Sequence, residues 1–393
     1  MRKMNVKCPL SIAVIGLALT SSAFSWKSKP TTELKADFVR FAREAGHGAF
    51  ADKIASEGDL VTWIDEGLRY GESLLAACEG TAADDPRRRT ALLFLDYPFH
   101  VDNYRPSTPP AEREAFERAV FGYARRAYER VLREVKEAMV GEGQLRAWHV
   151  YNMAYVFKGP RHVVLVDFTP RPVTPVERTP WTDAAWRAFA EIGDLLVITH
   201  PHRDHTSFPL MARMRERGKP LVLPCAMRDP ATSNVYAAAS GVYVLDRDHA
   251  EPIDVAGVKF WNFLGNQGKD VPCNVYLMDI DGVRVADNGD NRDCGKYAGL
   301  KGCPPADLIV ASTWNRVTDF VGGCRAAPGF NLKTAVFLPS HENELSHGVD
   351  HRESYLEMYT DPKRLAAPGF VWPTVKPLGW GESVTVSAAN EQT

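Results

Sequence analysis

Residues 194–208 read Asp-Leu-Leu-Val-Ile-Thr-His-Pro-His-Arg-Asp-His-Thr-Ser-Phe. Within them His200, His202, Asp204 and His205 follow directly on the apolar run Leu195 to Ile198. Imidazole and carboxylate are the donors that borderline divalent ions such as zinc take. A short apolar run reads as a buried strand, and its end delivers these side chains into a loop able to fold round an ion. Isolated loop histidines are ordinarily solvated or structural. Four ligand-type residues crowded together after a strand predict a metal centre.

The elements that must position this loop can be read on both sides of it. A helix over Thr182 to Ile192 leads into the strand, and a second over Phe208 to Arg217 follows, closing at Gly218. Leu221 to Leu223 then resumes as a strand. This order makes a βαβ unit with the ligands at the carboxyl end of its first strand, where open α/β sheets hold ligands. Upstream, Trp148 to Phe157 and His162 to Phe168 read as strands of a hairpin about Lys158-Gly159-Pro160-Arg161. Downstream come strands at Val242 to Leu245, Val258 to Phe263, Asn274 to Ile280 and Val283 to Ala286, the last two paired across Asp281-Gly282. Leu308 to Ala311, Ala335 to Leu338 and Ser383 to Ser387 are further short strands. Residues 31–140 look helical. Thr108-Pro109-Pro110 opens the strongest helix, with Thr108 as N-cap, and Phe116, Val120, Tyr123, Ala127, Val131 and Val135 form its apolar stripe. Its opposite face interleaves Arg125, Arg126, Arg130, Arg133 and Lys136 with glutamates, which reads as solvation rather than an anion site.

Whole-chain composition narrows the function classes. The chain has 393 residues, with 47 basic against 49 acidic groups, so no nucleic-acid partner is expected. Arg2, Lys3 and Lys7 precede the apolar stretch Leu10 to Leu19 and an Ala23-Phe24-Ser25 site. That is a signal peptide over 1–25, predicting a periplasmic or secreted protein with no stable membrane anchor after cleavage. Cys78, Cys225, Cys273, Cys294, Cys303 and Cys324 remain, and either disulfides or free thiols are open. Cys294 with Cys303 would close the shortest loop. Residues 26–144 then form a helical N-terminal region and 145–393 the main domain.

The His-x-His-x-Asp-His pattern at 200–205, with this element order, resembles the metallo-β-lactamase-fold hydrolases. More narrowly, it is similar to the branch of ascorbate-phosphate lactonases and the phospholipase D acting on N-acyl phosphatidylethanolamine. The resemblance covers roughly 145–387. It implies an α/β, four-layer αββα sandwich, here with an N-terminal helical extension. His200 and His202 would hold one metal, and Asp204 and His205 the other. Val285-Ala286-Asp287-Asn288-Gly289-Asp290 resembles the strand and Gly-Asp whose carboxylate bridges the metals, making Asp290 the bridge and Asp287 the fallback. Leu338-Pro339-Ser340-His341 resembles the last ligand strand, making His341 a ligand of the second metal. Asp167 matches an acidic residue that orients a ligand histidine from behind.

One feature departs from that pattern. The family's third histidine for the first metal would fall in Phe263-Leu264-Gly265-Asn266-Gln267-Gly268-Lys269, which contains none. Asn266 is the positional match, and His249 precedes a strand rather than ending one. One metal, two metals with an altered first site, and a degenerate site all remain open. Glu344 and His347 are possible additional ligands, the His341–Glu344–His347 spacing serving only if that segment is helical. His351 reads as an exposed loop residue. His47, His100, His149 and His162 read as structural or surface residues, and Trp148, Tyr151, Tyr155 and Phe157 as core. Trp314 and Asn315 could contact substrate.

The resulting expectation is an exported zinc-dependent hydrolase, with one or two Zn²⁺ and Mn²⁺ as the other choice. Zinc brings the pKa of bound water near neutrality, and Asp204 would orient that nucleophile. The substrate would be a small or lipid-like lactone, ester, amide or phosphodiester. The alternative is a non-catalytic metal- or ligand-binding protein on a degenerate hydrolase fold. A β-lactamase is a narrower option, disfavoured by Asp290 where that branch uses cysteine.

Overall fold

The computed structural model describes residues 29–57, 59, 62–102, 108–169, 179–225, 227–229, 231–268, 271–292, 303–312, 336–345, 349, 354–355 and 374–389. The expected leader over 1–25, Cys294, Trp314, Asn315, Cys324, His347 and His351 lie outside them.

Five helices come first: α1 (Thr31–Glu44), α2 (Gly48–Ser56), α3 (Thr62–Ala76), α4 (Pro86–Phe99) and α5 (Pro110–Glu137). The predicted stripe of α5 is buried at all six positions. Its start differs from the expectation, for Pro109 stands at the N-cap and makes no side-chain cap bond. The Thr108 hydroxyl instead donates to the Asp102 carbonyl (2.6 Å), because a residue before proline is turned away from helical geometry. On that face Arg126 pairs with Glu72 of α3 (2.5 Å) and Arg130 lies 3.7 Å from the same carboxylate. The basic face is therefore partly an interhelical seam rather than wholly solvated. α4 is begun by Asp85, whose carboxylate accepts from the Arg87 amide. Apart from its first turn it is buried nearly all round, as befits the central helix of a cluster. Its close approach to α3 needs Gly71, where an added Cβ would stand 2.7 Å from a Leu95 methyl.

Among the described residues fourteen strands form two seven-stranded sheets, a mixed α/β architecture. The first contains β1 (Gln144–Tyr151), β2 (Ala154–Lys158), β3 (Val163–Val166), β4 (Leu195–Val197), β5 (Leu221–Pro224), β6 (Val242–Leu245) and β14 (Ser383–Ser387), in the order β14-β1-β2-β3-β4-β5-β6. Helices α6 (Asp183–Ile192) and α7 (Phe208–Glu216) flank β4 in the chain. The second sheet runs β13-β12-β11-β10-β9-β8-β7, from β7 (His249–Val255), β8 (Val258–Gly268), β9 (Val271–Ile280), β10 (Val283–Asp287), β11 (Leu308–Ser312), β12 (Val336–Ser340) and β13 (Thr374–Val375). Each sheet is antiparallel at one end and parallel at the other, β3 to β6 in the first and β10 to β13 in the second.

The side-chain alternation of the strands separates two cores. Tyr155, Val164, Val166, Leu195 and Val197 point inward to Phe260, Tyr276, Met278, Val285 and Leu338 of the second sheet. Trp148, Val156, Leu165 and Leu196 point outward and pack under the helices. Leu277, Ile309 and Phe337, on the far face of the second sheet, are buried too, so that face is also covered.

Several boundaries moved from their sequence-based positions. Trp148 to Phe157 is two strands, turning at Asn152, whose φ is +55°; asparagine tolerates this left-handed conformation in tight turns. The stretch His249–Val255, which carries few apolar residues, is an additional strand with most side chains in solvent. Cys78, Cys225, Cys273 and Cys303 are free thiols; Cys294, the other end of the expected short loop, lies outside the described residues. Among the described residues no helix is long and apolar enough to cross a membrane.

Candidate metal centre

The two sheets meet at the edge where β3, β4, β10 and β12 end. Backbone and side-chain bonds fasten that edge: Asn274 N donates to Thr199 O (2.9 Å) and Tyr276 Oη to Ile198 O (2.9 Å). Asp204 and His205 follow β4, Asp290 follows β10, and His341 follows β12. One ligand atom from each of these four lies within 4.8 Å of the others, and all four residues are buried.

The spacing inside this nest is characteristic of donors round an ion. His205 Nε2 is 3.7 Å from Asp204 Oδ2 and 3.5 Å from Asp290 Oδ2. His341 Nε2 is 3.4 Å and 3.5 Å from the same two oxygens. These separations exceed ordinary N–H···O lengths. They match donors about 3.3–3.6 Å apart, as a tetrahedral ion with bonds near 2.0–2.2 Å requires. His205 Nε2 and Asp290 Oδ1 make no hydrogen bond among the described residues, although a buried polar atom ordinarily has a partner. A set of two imidazoles and two carboxylates without thiolate suits zinc and also iron or manganese. The residues present therefore fit a divalent ion.

Charge in the nest is arranged to the same end. Burial pushes the Asp204 and Asp290 carboxyls up, but the imidazoles of His205 and His341 outweigh it and hold both below the usual carboxylate range. Burial lowers His205 and His341, and the surrounding carboxylates reverse this, raising both well above an ordinary histidine. Without an ion, protons on the imidazoles balance the carboxylates; a bound cation would displace them.

Asp167, just past β3, lies behind His205. Its Oδ2 accepts from His205 Nδ1 (2.7 Å) and the Thr199 hydroxyl (2.6 Å), and its Oδ1 from the Thr199 amide (2.8 Å). That fixes the tautomer of His205 and leaves Nε2 facing the nest. Gly289 is equally constrained, with φ at +48° and space for a Cβ only 2.7 Å from Thr199 Oγ1. Asp287, the fallback bridge, stays out of the cluster: its Oδ1 accepts from Gly289 N (2.9 Å), and burial with Asp167 nearby pushes it up to about 8.

His200 and His202 form a second flank. The His200 ring is buried 4.0 Å from that of His205, and its Nε2 is 3.8 Å from Asp290 Oδ2. The half-exposed His202 ring stands 4.8 Å from His200. Neither belongs to the four-residue nest. Asn266 does not complete a site there, because its side-chain oxygen accepts from Gly268 N (2.5 Å) and serves the β8–β9 turn. Glu344 is buried and receives the Tyr151 hydroxyl (3.4 Å) outside the nest. Residues 341–345 are not helical, so the His-x-x-Glu-x-x-His register does not form there. His249 opens β7, half-exposed.

Sequence reasoning missed the residues that brace the nest. Asn152, buried in the β1–β2 turn, donates from Nδ2 to Asp204 O (3.0 Å), while its carbonyl accepts from His341 N (3.4 Å). It thus ties both sheets' ligand loops to one turn. An asparagine interrupting an apolar run was the available signal. His149 is structural, but not idle: Nδ1 faces Leu378 O (2.9 Å), Nε2 faces Asn152 O (2.8 Å), and Glu342 is 3.3 Å away. Burial pulls this imidazole down. Burial likewise pushes the neighbouring Glu342 carboxyl well up.

No protein-family description and no curated protein matches the sequence. Solved structures are similar in chain path. The metallo-β-lactamase fold protein YhfI of Bacillus subtilis is 12% identical with a TM-score of 0.41, covering 62% of this chain and 99% of its own. A possible metal-dependent hydrolase of Veillonella parvula is 15% identical with a TM-score of 0.43, covering 63% and 99%. CmlA, a diiron β-hydroxylase of Streptomyces venezuelae, is 14% identical with a TM-score of 0.39, covering 63% and 55%.

Proposed function

We propose that this chain is a metal-dependent hydrolase whose principal ion, zinc in the first instance, is held by Asp204, His205, Asp290 and His341. The observation that carries the reading is the buried nest itself, with four donors at ion-ligand spacing. An ion bound there would acidify water and polarise a carbonyl or phosphoryl oxygen. The residues supply the rest. Asp204 orients the attacking water by accepting a hydrogen bond from it. Asp167 keeps His205 Nε2 turned inward, and Asn152 holds the loops of Asp204 and His341 in register. The substrate class is a lactone, ester, amide or phosphodiester, small or lipid-like, met outside the cytoplasm after loss of the leader.

The test is elemental analysis of purified protein for zinc, iron and manganese, with turnover measured on a panel of those four substrate classes. About one tightly held equivalent is expected from one complete four-donor nest. Hydrolysis of at least one class should vanish on chelation and return with the ion. Undiminished turnover in metal-free protein would overturn the mechanism. Bound metal without hydrolysis across the panel would favour the alternative of a non-catalytic binding protein.

A further inference from the structure

We infer that Asp96, on α4 of the helical region, is a positioning residue for the metal centre, because it holds the turn that carries His341. This rests on the metal-centre reading above. Asp96 is fully buried in the last turn of α4. Both circumstances disfavour a carboxylate: burial strips its water, and the C-terminal end of a helix is negative. Its Oδ1 accepts from Asn343 Nδ2 (3.1 Å) and from the Tyr355 amide (2.9 Å).

One of those donors belongs to the ligand turn, and the other, Tyr355, also bonds to Glu342 within it. Residues 341–345 are buried throughout, yet belong to no helix or strand. His341 and Asn343 hold left-handed φ values of +83° and +52°, conformations that persist only where their surroundings impose them. Glu342, between them, accepts from Trp380 Nε1 (3.1 Å) and Tyr355 Oη (3.3 Å). Tyr355 is in turn fastened to Asp96 through its backbone. The helical region has separate means of seating itself: Arg88 pairs with Glu382 (2.5 Å), and Trp380 stacks on Tyr123 with ring centroids 5.0 Å apart. The Asp96 contacts add something different, a direct hold on Asn343, two residues past a ligand, and through Tyr355 an indirect one on Glu342.

The full chain would be titrated with Zn²⁺ against a competing chelator, and its melting followed with and without zinc. Asp96→Ala should weaken zinc binding about 10–100-fold, the range for groups that orient metal ligands. Asp96→Asn should bind more tightly than Asp96→Ala, since Asn343 Nδ2 and the Tyr355 amide share one oxygen that the asparagine amide also supplies. Asn343→Gly removes the link from the other end while suiting the left-handed backbone, and should match Asp96→Ala. If Asp96→Ala does not fold, the Asn343→Gly result decides. Unchanged zinc affinity in a folded Asp96→Ala or Asn343→Gly protein, even with a lowered Tm, assigns Asp96 to stability alone and overturns the inference. A wild-type chain that takes up no zinc would instead overturn the metal-centre reading on which it stands.

Discussion

On one side of Asp290 stand Asp204, His205 and His341; on the other stand His200 and His202. His200 also approaches the Asp290 carboxylate (3.8 Å), but the two flanks differ in what lies behind them. His205 is backed by the Asp167 carboxylate at 2.7 Å, whereas among the described residues His200 Nδ1 has the neutral Thr199 hydroxyl at 3.1 Å and the Cys273 thiol at 3.9 Å. A carboxylate partner raises the basicity of a ligand imidazole; a hydroxyl does so far less. The flanks also differ in completeness. The first has four donors, while among the described residues the second has no third one, Asn266 being committed to its own turn. The difference teaches that a metal centre is decided by the groups behind the ligands as much as by the ligand motif.

The largest effect should come from removing what both flanks share. Asp290→Ala leaves the three nearby imidazoles without their common carboxylate, so metal binding should weaken by more than the roughly 100-fold ceiling for outer partners. His205→Ala should do the same and abolish hydrolysis. His202→Ala, on the half-exposed flank, should leave the tight equivalent in place. Equilibrium dialysis of the three variants checks the ordering; loss of the tight ion in His202→Ala alone would invert the comparison.

Much of this site was legible because its chemistry is local in sequence. His200 to His205 occupy one loop, and the strand before them is too short and apolar to be anything but buried. Asp290 and His341 were legible only through their order after that loop and the strands that deliver them. What stayed hidden is non-local. Asn152 acts across the β1–β2 turn on two loops 52 residues and more away, and Asp96 reaches Asn343 over 247 residues. No spacing rule links such pairs; only packing of the helical region on the first sheet brings them together. The misplaced cap at Thr108 and the unread strand β7 are smaller instances. In each, a neighbouring proline or a solvent-exposed edge overrode the local pattern.

A gain of function would sharpen the comparison further. If the weaker flank is weak for want of a ligand, Asn266→His should add a second, looser equivalent. The backbone there is already held near Asp290, since Asn266 N donates to Asn291 Oδ1 (2.9 Å) and its carbonyl accepts from Arg292 N (2.7 Å). Losing the bond to Gly268 would cost about 1 kcal/mol, small against coordination. Stoichiometry unchanged from wild type would show that the missing ligand is not what separates the flanks.

The smallest effect concerns the nest when it holds protons instead of an ion. The folded-state pKa values of His205 and His341 stand above the ordinary 6.5. Their contribution to stability is complete below that value and is lost as pH rises through the folded-state values. Asp204 and Asp290 stand below the ordinary 3.8, so their contribution is present above it and lost as pH falls. Metal-free protein should therefore be most stable between about pH 4 and 6.5. Taking chelated protein from pH 6 to pH 9 should lower its Tm by at least about 2–4 °C, the equivalent of roughly 1 kcal/mol in a chain this large. Metal-loaded protein should hold its Tm over the same interval, because a cation balances the carboxylates without titrating. Equal melting of chelated protein at both pH values would mean that the imidazoles of the nest do not carry those protons, and that the stronger flank is not preorganised by charge.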